Sequence, residues 1–505
     1  MLASGQGETG AGVAETARLV DYVASLDLAG LDKLPQPDLS LFTNEAPAGT
    51  HWIGIYSSDG ETGLGLASGD TIAVEASMLA GLAEEARHSL GQVEGLQETR
   101  RSSYNYAKPF SQLLDAEKAW REKQLIKLAC AGSDLFENLF IAAEMDSERV
   151  DNLWDKLQRP GIVSVARCRG FSTSLPWAAL YEQHLDTGRE EEMALCPFFE
   201  DWLAAANPPP EGREPVGLAD LLADPEACRR RGGCPLDGPA KQLTVCPFGF
   251  WGFLHQVEQP LQDINPLPVG ARDEVPEELR AARRNQTSRL VLNRSDPLGL
   301  LMAVWPGFPQ IAEHRAEIEQ IFSELALPGP LYEDERNEAL ALLQQGGKHL
   351  YYFFCHGEGD GLQFRLKLGP LEHPGYIRAS DLSRQVARWP ERPQPLVILN
   401  GCDTVAMLPE RIHLLATALR QLGACGVVGT EIQVFVPLAR DVGRQVLDEF
   451  LHGASLGEAF LKVRRHLLRE CNPMGLAYTC LAPISLHLHN DEDCAWCRKH
   501  GLDEA

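Results

Sequence analysis

The sequence predicts an α/β protein: a mostly parallel sheet sandwiched by helices in the second half, preceded by a mixed α/β lobe. Three observations predict it. Residues 349–354, 395–399 and 425–429 are short runs apolar on both faces, the pattern of strands with no solvent-facing side. Amphipathic helical stripes alternate with them, as parallel crossovers require. At 505 residues with 44% hydrophobic and 23% charged residues, the chain has material for two or three units and a large core.

In chain order, residues 1–12 are Gly-rich and read as flexible, and a short helix is expected over 13–25. Strands are expected at 52–56, 71–75 and 161–166, with two long helices at 111–131 and 133–157. Pro208-Pro209-Pro210 marks an exposed loop, and the Pro- and charge-rich stretch 266–287 reads as a linker. Apolar runs at 290–292 and 300–305 open the second half. A helix follows with Ile311, Ile318, Ile321, Phe322 and Leu325 on one face, then another over 334–345. Ser380 or Asp381 is expected to cap a helix reaching Trp389. Leu414, Leu415, Ala418, Leu419 and Leu422 form a stripe stopped by Gly423. Leu438, Val442, Val446 and Phe450 form another stripe, Ser455 to Glu458 is a capping box, and a final strand runs over 477–481.

The domain layout expected is a flexible segment 1–40, an N-terminal lobe 41–265 with a Cys-containing insert 196–246, the linker 266–287, a second domain 288–490 and a tail 491–505. The net charge of −25 argues against binding DNA or an anionic membrane surface, which need basic surface. No apolar stretch approaches the roughly 20 residues of a membrane helix. The polar N-terminus lacks a secretory signal, and 13 cysteines are an odd number scattered over a long chain. Both favour a reducing cytoplasm over a disulfide framework.

In parallel sheets, chemistry collects at the carboxyl ends of strands. Two predicted strands end there in reactive residues, one in His356 followed by Gly357, the other in Asn400-Gly401-Cys402-Asp403. A thiol beside an imidazole is a nucleophile with its base, and the glycines let a substrate backbone approach while N–H groups face an oxyanion. Glu358, Asp360, Asp403 and Glu431 fall on loops near the same edge. With Asn400 they are candidates for a substrate pocket that takes Arg or Lys, or are simply solvated acids of an acidic protein. Gly357-Glu-Gly-Asp-Gly361 lacks the Lys-Ser/Thr of a phosphate loop and reads as a mobile loop at the site.

Two cysteine groups admit a structural zinc. Cys196, Cys228, Cys234 and Cys246 lie within 51 residues of Pro/Gly-rich sequence, with a C-x5-C spacing looser than usual. In the tail, Cys494, Cys497 and His500 are local ligands, with His489 as a fourth. Scattered core thiols are the alternative for both groups.

Phe354-Cys-His-Gly357, Leu399-Asn-Gly-Cys-Asp403 and Gly426-Val-Val-Gly-Thr430 resemble the CHAT domain, a caspase-like module, as does the helix pair around Phe450-Leu-His-Gly-Ala-Ser-Leu-Gly-Glu-Ala-Phe460. The resemblance covers residues 290–487 and extends more weakly to Leu175-Pro-Trp-Ala-Ala-Leu-Tyr181 and Gly249-Phe-Trp-Gly-Phe253. The 46 residues from His356 to Cys402 agree with the caspase spacing of about 50. The resemblance implies a cysteine endopeptidase of the clan of caspases and separase, with Cys402 as nucleophile and His356 as base, and no cofactor needed for catalysis. The N–H groups of Gly357 and Cys402 would form the oxyanion hole. It implies a pseudo-caspase first lobe and a protein substrate, and because an uncontrolled protease endangers its cell, latency until a protein partner or small nucleotide engages that lobe is expected. By analogy, bacterial antiviral defence or programmed cell death would be its setting. The family's usual helical-repeat partner domain is absent from this sequence. A scaffold with an unused dyad and a nucleotide sensor are the competing readings.

Overall fold

The computed structural model describes residues 37–46, 49–57, 70–93, 110–141, 157–171, 173–199, 240–261, 263–265, 289–292, 298–360, 363–386, 394–401, 409–490 and 494–500, with a few single positions between them. The expected helix over 13–25, the Pro-rich loop and the linker 266–287 lie outside the described residues.

The first lobe is built on strands β1 (Leu39–Ala46), β2 (Thr50–Ser57) and β3 (Asp70–Glu75), helices α1 (Ala76–Val93) and α2 (Asp115–Phe140), and strand β4 (Ile162–Arg167). Two short paired strands follow, β5 (Ala194–Leu195) and β6 (Thr244–Val245), then the one-turn helix α3 (Trp251–Leu254) and strand β7 (Gln256–Glu258). The sheet order is β3-β2-β1-β4-β7, antiparallel at β3-β2-β1 and parallel beyond. Leu41, Ile53, Ile55, Val163 and Val165 turn to the face covered by α1 and α2.

The second lobe contains β8 (Arg289–Leu292), β9 (Leu300–Val304), α4 (Ile311–Glu324), β10 (Leu331–Glu333), α5 (Arg336–Gln345) and β11 (Leu350–Phe354). Next come β12 (Gly357–Asp360), β13 (Gln363–Leu368), β14 (Gly375–Arg378), α6 (Ala379–Gln385) and β15 (Leu396–Leu399). The chain closes with α7 (Pro409–Leu422), β16 (Gly426–Thr430), α8 (Val436–Leu451), α9 (Leu456–Leu468), β17 (Tyr478–Leu481), β18 (His487–Asn490) and α10 (Ala495–Lys499). The main sheet order is β10-β9-β11-β15-β16-β17, parallel except for β17.

Both faces of this sheet are buried, and the two-residue period of a strand sorts the side chains between them. Met302, Tyr352, Phe354 and Ile398 face α4, α8 and α9, while Ala303, Tyr351, Phe353 and Leu399 face α5, α6 and α7. Ser455 caps α9 through the anticipated box with Glu458. Gly423 takes a positive φ of 111° just after α7, as a helix stop requires.

Three local expectations are corrected. The two helices expected at 111–131 and 133–157 are, in the described part, one helix, α2, running unbroken through Gly132. A Cβ there would come within 2.4 Å of the Ala179 carbonyl oxygen, so the glycine serves close packing and not a break. Helix α6 starts at Ala379 after Arg378, whose N–H donates to the Asp381 carboxylate at 2.9 Å, and it ends at Gln385, short of Trp389. Trp389 instead donates its indole N–H to the Leu343 carbonyl. The supposed mobile loop after His356 is strand β12, paired antiparallel with β13.

The two lobes share one core. A single apolar cluster runs from Leu125, Ala129, Phe250 and Phe253 of the first into Leu456, Val463, Met474 and Leu476 of the second. Buried Arg464 of α9 crosses the seam, its guanidinium donating to the carbonyls of Tyr478 at 2.7 Å, Gly475 and Gly252. Arg464→Leu strands these carbonyls and is expected to destabilise the chain by about 2–4 kcal/mol. Calorimetry should show one transition shifted down as a whole. Two separate transitions would contradict the shared core.

Candidate active site

Strands β11 and β15 are parallel neighbours, with Phe353 opposite Leu399. The ladder continues one residue further, where the Asn400 N–H donates to the Phe353 carbonyl at 2.8 Å. The segments carrying His356 and Gly401 therefore leave the sheet side by side. Both residues line one cleft of ≈ 440 Å³, whose other walls include Phe308, Phe354, Val434 and Val436. Cys402 and Asp403 lie outside the described residues. Gly401, the last residue before them, is held by Thr430, whose hydroxyl donates to the Gly401 carbonyl at 2.6 Å.

Strand alternation decides which reactive side chain of the first segment meets the cleft. Cys355 is buried with the α5–α7 face, while His356 is half-buried between the rings of Trp305 and Phe308, at 4.6 and 4.7 Å between centroids. Burial lowers the His356 pKa from its ordinary value, Lys367 lowers it further, and Glu358 opposes both. The imidazole is accordingly neutral near pH 7, with a lone pair able to accept a proton.

The His356 carbonyl accepts the Lys367 N–H at 2.9 Å, which puts Gly357 and Leu366 opposite one another as a non-hydrogen-bonded pair. The Gly357 N–H is therefore directed away from the β13 ladder.

The residues named for a substrate pocket separate. Asn400 is 1% exposed and turned inward. Its amide donates to Tyr352 Oη and to the Ala439 carbonyl, and its own oxygen accepts from Tyr478 Oη. The chain of bonds extends to buried His314, whose Nε2 lies 2.9 Å from Tyr352 Oη. Glu431 is also 1% exposed, bound by Arg87 of the first lobe at 3.1 Å and by the Thr479 hydroxyl. Glu358 is paired with Lys367 at 3.1 Å and Arg365 at 3.4 Å. Burial raises the Glu358 pKa, but Lys367, Tyr376 and Arg365 outweigh it and hold the carboxyl low. The Asn400 and Glu431 side chains thus carry structural hydrogen bonds, and Asn400 also lines the cleft beside Gly401. Asp360 sits in β12 opposite Gln363.

Sequence reasoning did not single out Tyr352, Tyr478, His314 or Gly443. A Cβ on Gly443 would lie 2.2 Å from Tyr352 Oη and 2.5 Å from Asn400 Nδ2, so only glycine leaves room for this network. Thr430 belongs to one of the motif segments, but its bond to Gly401 needs the tertiary structure to be seen.

Of the cysteines first grouped for zinc, Cys196 and Cys246 follow the paired strands β5 and β6 and are buried in the main core. Cys228 and Cys234 lie outside the described residues. No disulfide joins the cysteines of the described residues, and these cysteines are buried. No helix among the described residues is long and apolar enough to cross a membrane.

The CHAT domain family model matches residues 170–496, more than half of the chain. The chain belongs to the CHAT-domain family. A probable protease of Vitiosangium sp. (strain GDMCC 1.1324) is 28% identical over 482 residues, covering 93% of this chain and 57% of the relative. The chain therefore spans little more than half the length of that curated relative. Two crystal structures of the Saccharomyces cerevisiae separase–securin complex align over 94% and 95% of this chain and 31% and 32% of theirs, at 13% and 12% identity, each with a TM-score of 0.41.

Two predictions follow from the geometry around His356 and Asn400. In NMR of histidine-labelled protein, with His356→Gln for assignment, the His356 ring should titrate below 6.5. Lys367→Met removes a nearby positive charge and should raise the midpoint, whereas Glu358→Gln should lower it. A wild-type midpoint above 6.5 would refute this account of the ring. Separately, Asn400→Leu leaves Tyr478 Oη without its acceptor in the core and is expected to cost about 1–3 kcal/mol in denaturant unfolding. A neutral effect would show that the network is dispensable.

Proposed function

We propose that this chain is a cysteine endopeptidase in which Cys402 is the nucleophile and His356 the base. One observation carries the reading: His356 and Gly401, the residue preceding Cys402, line the same cleft at the carboxyl ends of adjacent parallel strands. Family membership and the similarity to the probable protease of Vitiosangium sp. support the same class of chemistry.

In this mechanism His356 takes the thiol proton and the Cys402 sulfur adds to the peptide carbonyl. The N–H groups of Gly357 and Cys402 stabilise the oxyanion. As the intermediate collapses, the C–N bond breaks and His356 returns the proton to the departing amine. A water molecule, deprotonated by the same imidazole, then hydrolyses the thioester. The dry aromatic walls around His356 favour the neutral base that this sequence needs.

The lobe seam supports a regulated enzyme. Arg87 of the first lobe grips Glu431, the residue next to Thr430, and Thr430 holds Gly401. A protein or nucleotide that moves α1 would act on the nucleophile's segment through this short chain of contacts. The substrate is a protein whose scissile segment enters the cleft in extended form.

The reading is tested with a peptidyl acyloxymethyl ketone and mass spectrometry, alongside cleavage assays on proteins encoded beside this one. The label should map to Cys402, and both labelling and cleavage should fall roughly 10³-fold or more in Cys402→Ala and His356→Ala. Cleavage that survives Cys402→Ala would eliminate the proposed nucleophile.

A further inference from the structure

The C-terminal segment carries a cluster unrelated to the cleft. His487 and His489 of β18 and Cys494 and Cys497 around α10 bring one ligand atom each together, all four atoms lying within 4.8 Å of one another. We propose that these four residues bind one structural zinc ion that clasps the C-terminal segment to the second lobe.

The donor set is two thiols and two imidazoles, the combination that selects zinc among common cellular metals. With metal–ligand distances of about 2.0–2.3 Å, ligand atoms of a tetrahedral site stand about 3.3–3.8 Å apart. Cys497 Sγ lies 3.3 Å from His489 Nδ1 and 3.5 Å from His487 Nε2. The tautomer is set as well. His487 Nδ1 lies 2.8 Å from the Ser485 carbonyl, which can only accept, so Nδ1 carries the proton and Nε2 presents its lone pair to the cluster. The Cys497 N–H points at Cys494 Sγ at 3.4 Å, a bond that stabilises a thiolate.

The surroundings are those of a closed site. His487, Cys494 and Cys497 are buried. The Trp496 ring stacks on His487 at 4.1 Å between centroids, and His500 stacks on Trp496 at the same distance. His500, expected from sequence as a ligand, is outside the four-residue group: its Nδ1 lies 2.9 Å from the Trp496 carbonyl, and His487 takes its place. Four protein ligands leave no position for a substrate, which makes the metal structural.

Its position explains its use. Strand β18 pairs in parallel with β8, where the described part of the second lobe begins, and Lys499 of α10 pairs with Glu458 of α9. The metal therefore fastens the strand that starts this lobe to the segment that ends it. A two-stranded sheet with a five-residue helix is too small to be stable without such a staple.

The test is metal analysis of the purified full-length chain. About one equivalent of zinc is expected, retained in His500→Ala and lost in Cys497→Ser and in His487→Gln. If those variants fold poorly, Co²⁺ added to the chelator-treated wild type provides an independent readout, with the visible bands of a tetrahedral site and a thiolate charge-transfer band. Removing the metal should lower Tm and expose Cys494 and Cys497 to alkylation. Less than about half an equivalent of zinc after loading, or zinc fully retained in the His487→Gln/Cys497→Ser double variant, would overturn the assignment. A Cys494–Cys497 disulfide in the freshly isolated chain would do so too.

Discussion

The site depends on one pairing, the parallel register of β11 with β15. Both strands are apolar throughout and buried on both faces, so each residue is assigned to a face by parity. A slip of one position would turn His356 toward the α5–α7 layer and bring Cys355 to the cleft. The helical layers on either side differ in the side chains they accept, which makes that slip costly. Tyr352, for example, reaches Asn400 and His314 only from its present face. The placement of His356 at this edge is thus a consequence of core packing, and the proposed catalytic side chains need contribute little to holding it.

Beneath that edge lies a second layer of constraint. Asn400 follows β15 with its amide donating twice and its oxygen accepting once, and Thr430 at the end of β16 ties down the next carbonyl. Buried polar groups satisfied in this way favour a single arrangement, because any alternative leaves one of them unpaired. The backbone at Gly401 is therefore oriented from two neighbouring strands. Glu431, one residue further, links this frame to Arg87 and so to the first lobe. The lobes, joined by a common core and by Arg464, behave as parts of one folded body.

The second half of the chain was largely legible because its signals are strong and local. Wholly apolar strands, four-residue helical stripes, the Ser455 box and Gly423 each state their own element. The first half was harder. Helix α1 buries Leu79, Ala83, Ala86, Leu90 and Val93 at helical spacing, but two of the five are alanines, which carry a weak amphipathic signal. Gly132 looked like a break because its reason, the Ala179 carbonyl, is 47 residues away. Strand β12 was hidden by Gly357 and Gly359, residues that ordinarily argue against a strand. At the site, the motif types and their strand-end positions were readable, whereas the burial of Asn400 and Glu431 was not. Polar residues beside a reactive pair look functional in sequence whether they face the cleft or the core.

That ambiguity bears on how the net charge of −25 should be understood. An acidic chain with several carboxylates near its reactive edge invites the idea of a pocket for basic side chains. Around the cleft, however, two of the acids are already matched: Glu358 by Lys367 and Arg365, Glu431 by Arg87. A paired carboxylate attracts a second cation far less than an isolated one, because the field it would use is already cancelled at short range. The wall beside His356 is instead formed by Phe308, Phe354, Val434 and Val436. Local pairing, and not total charge, governs the chemical character of this edge, and among the described residues it offers chiefly an apolar surface with an imidazole at its rim.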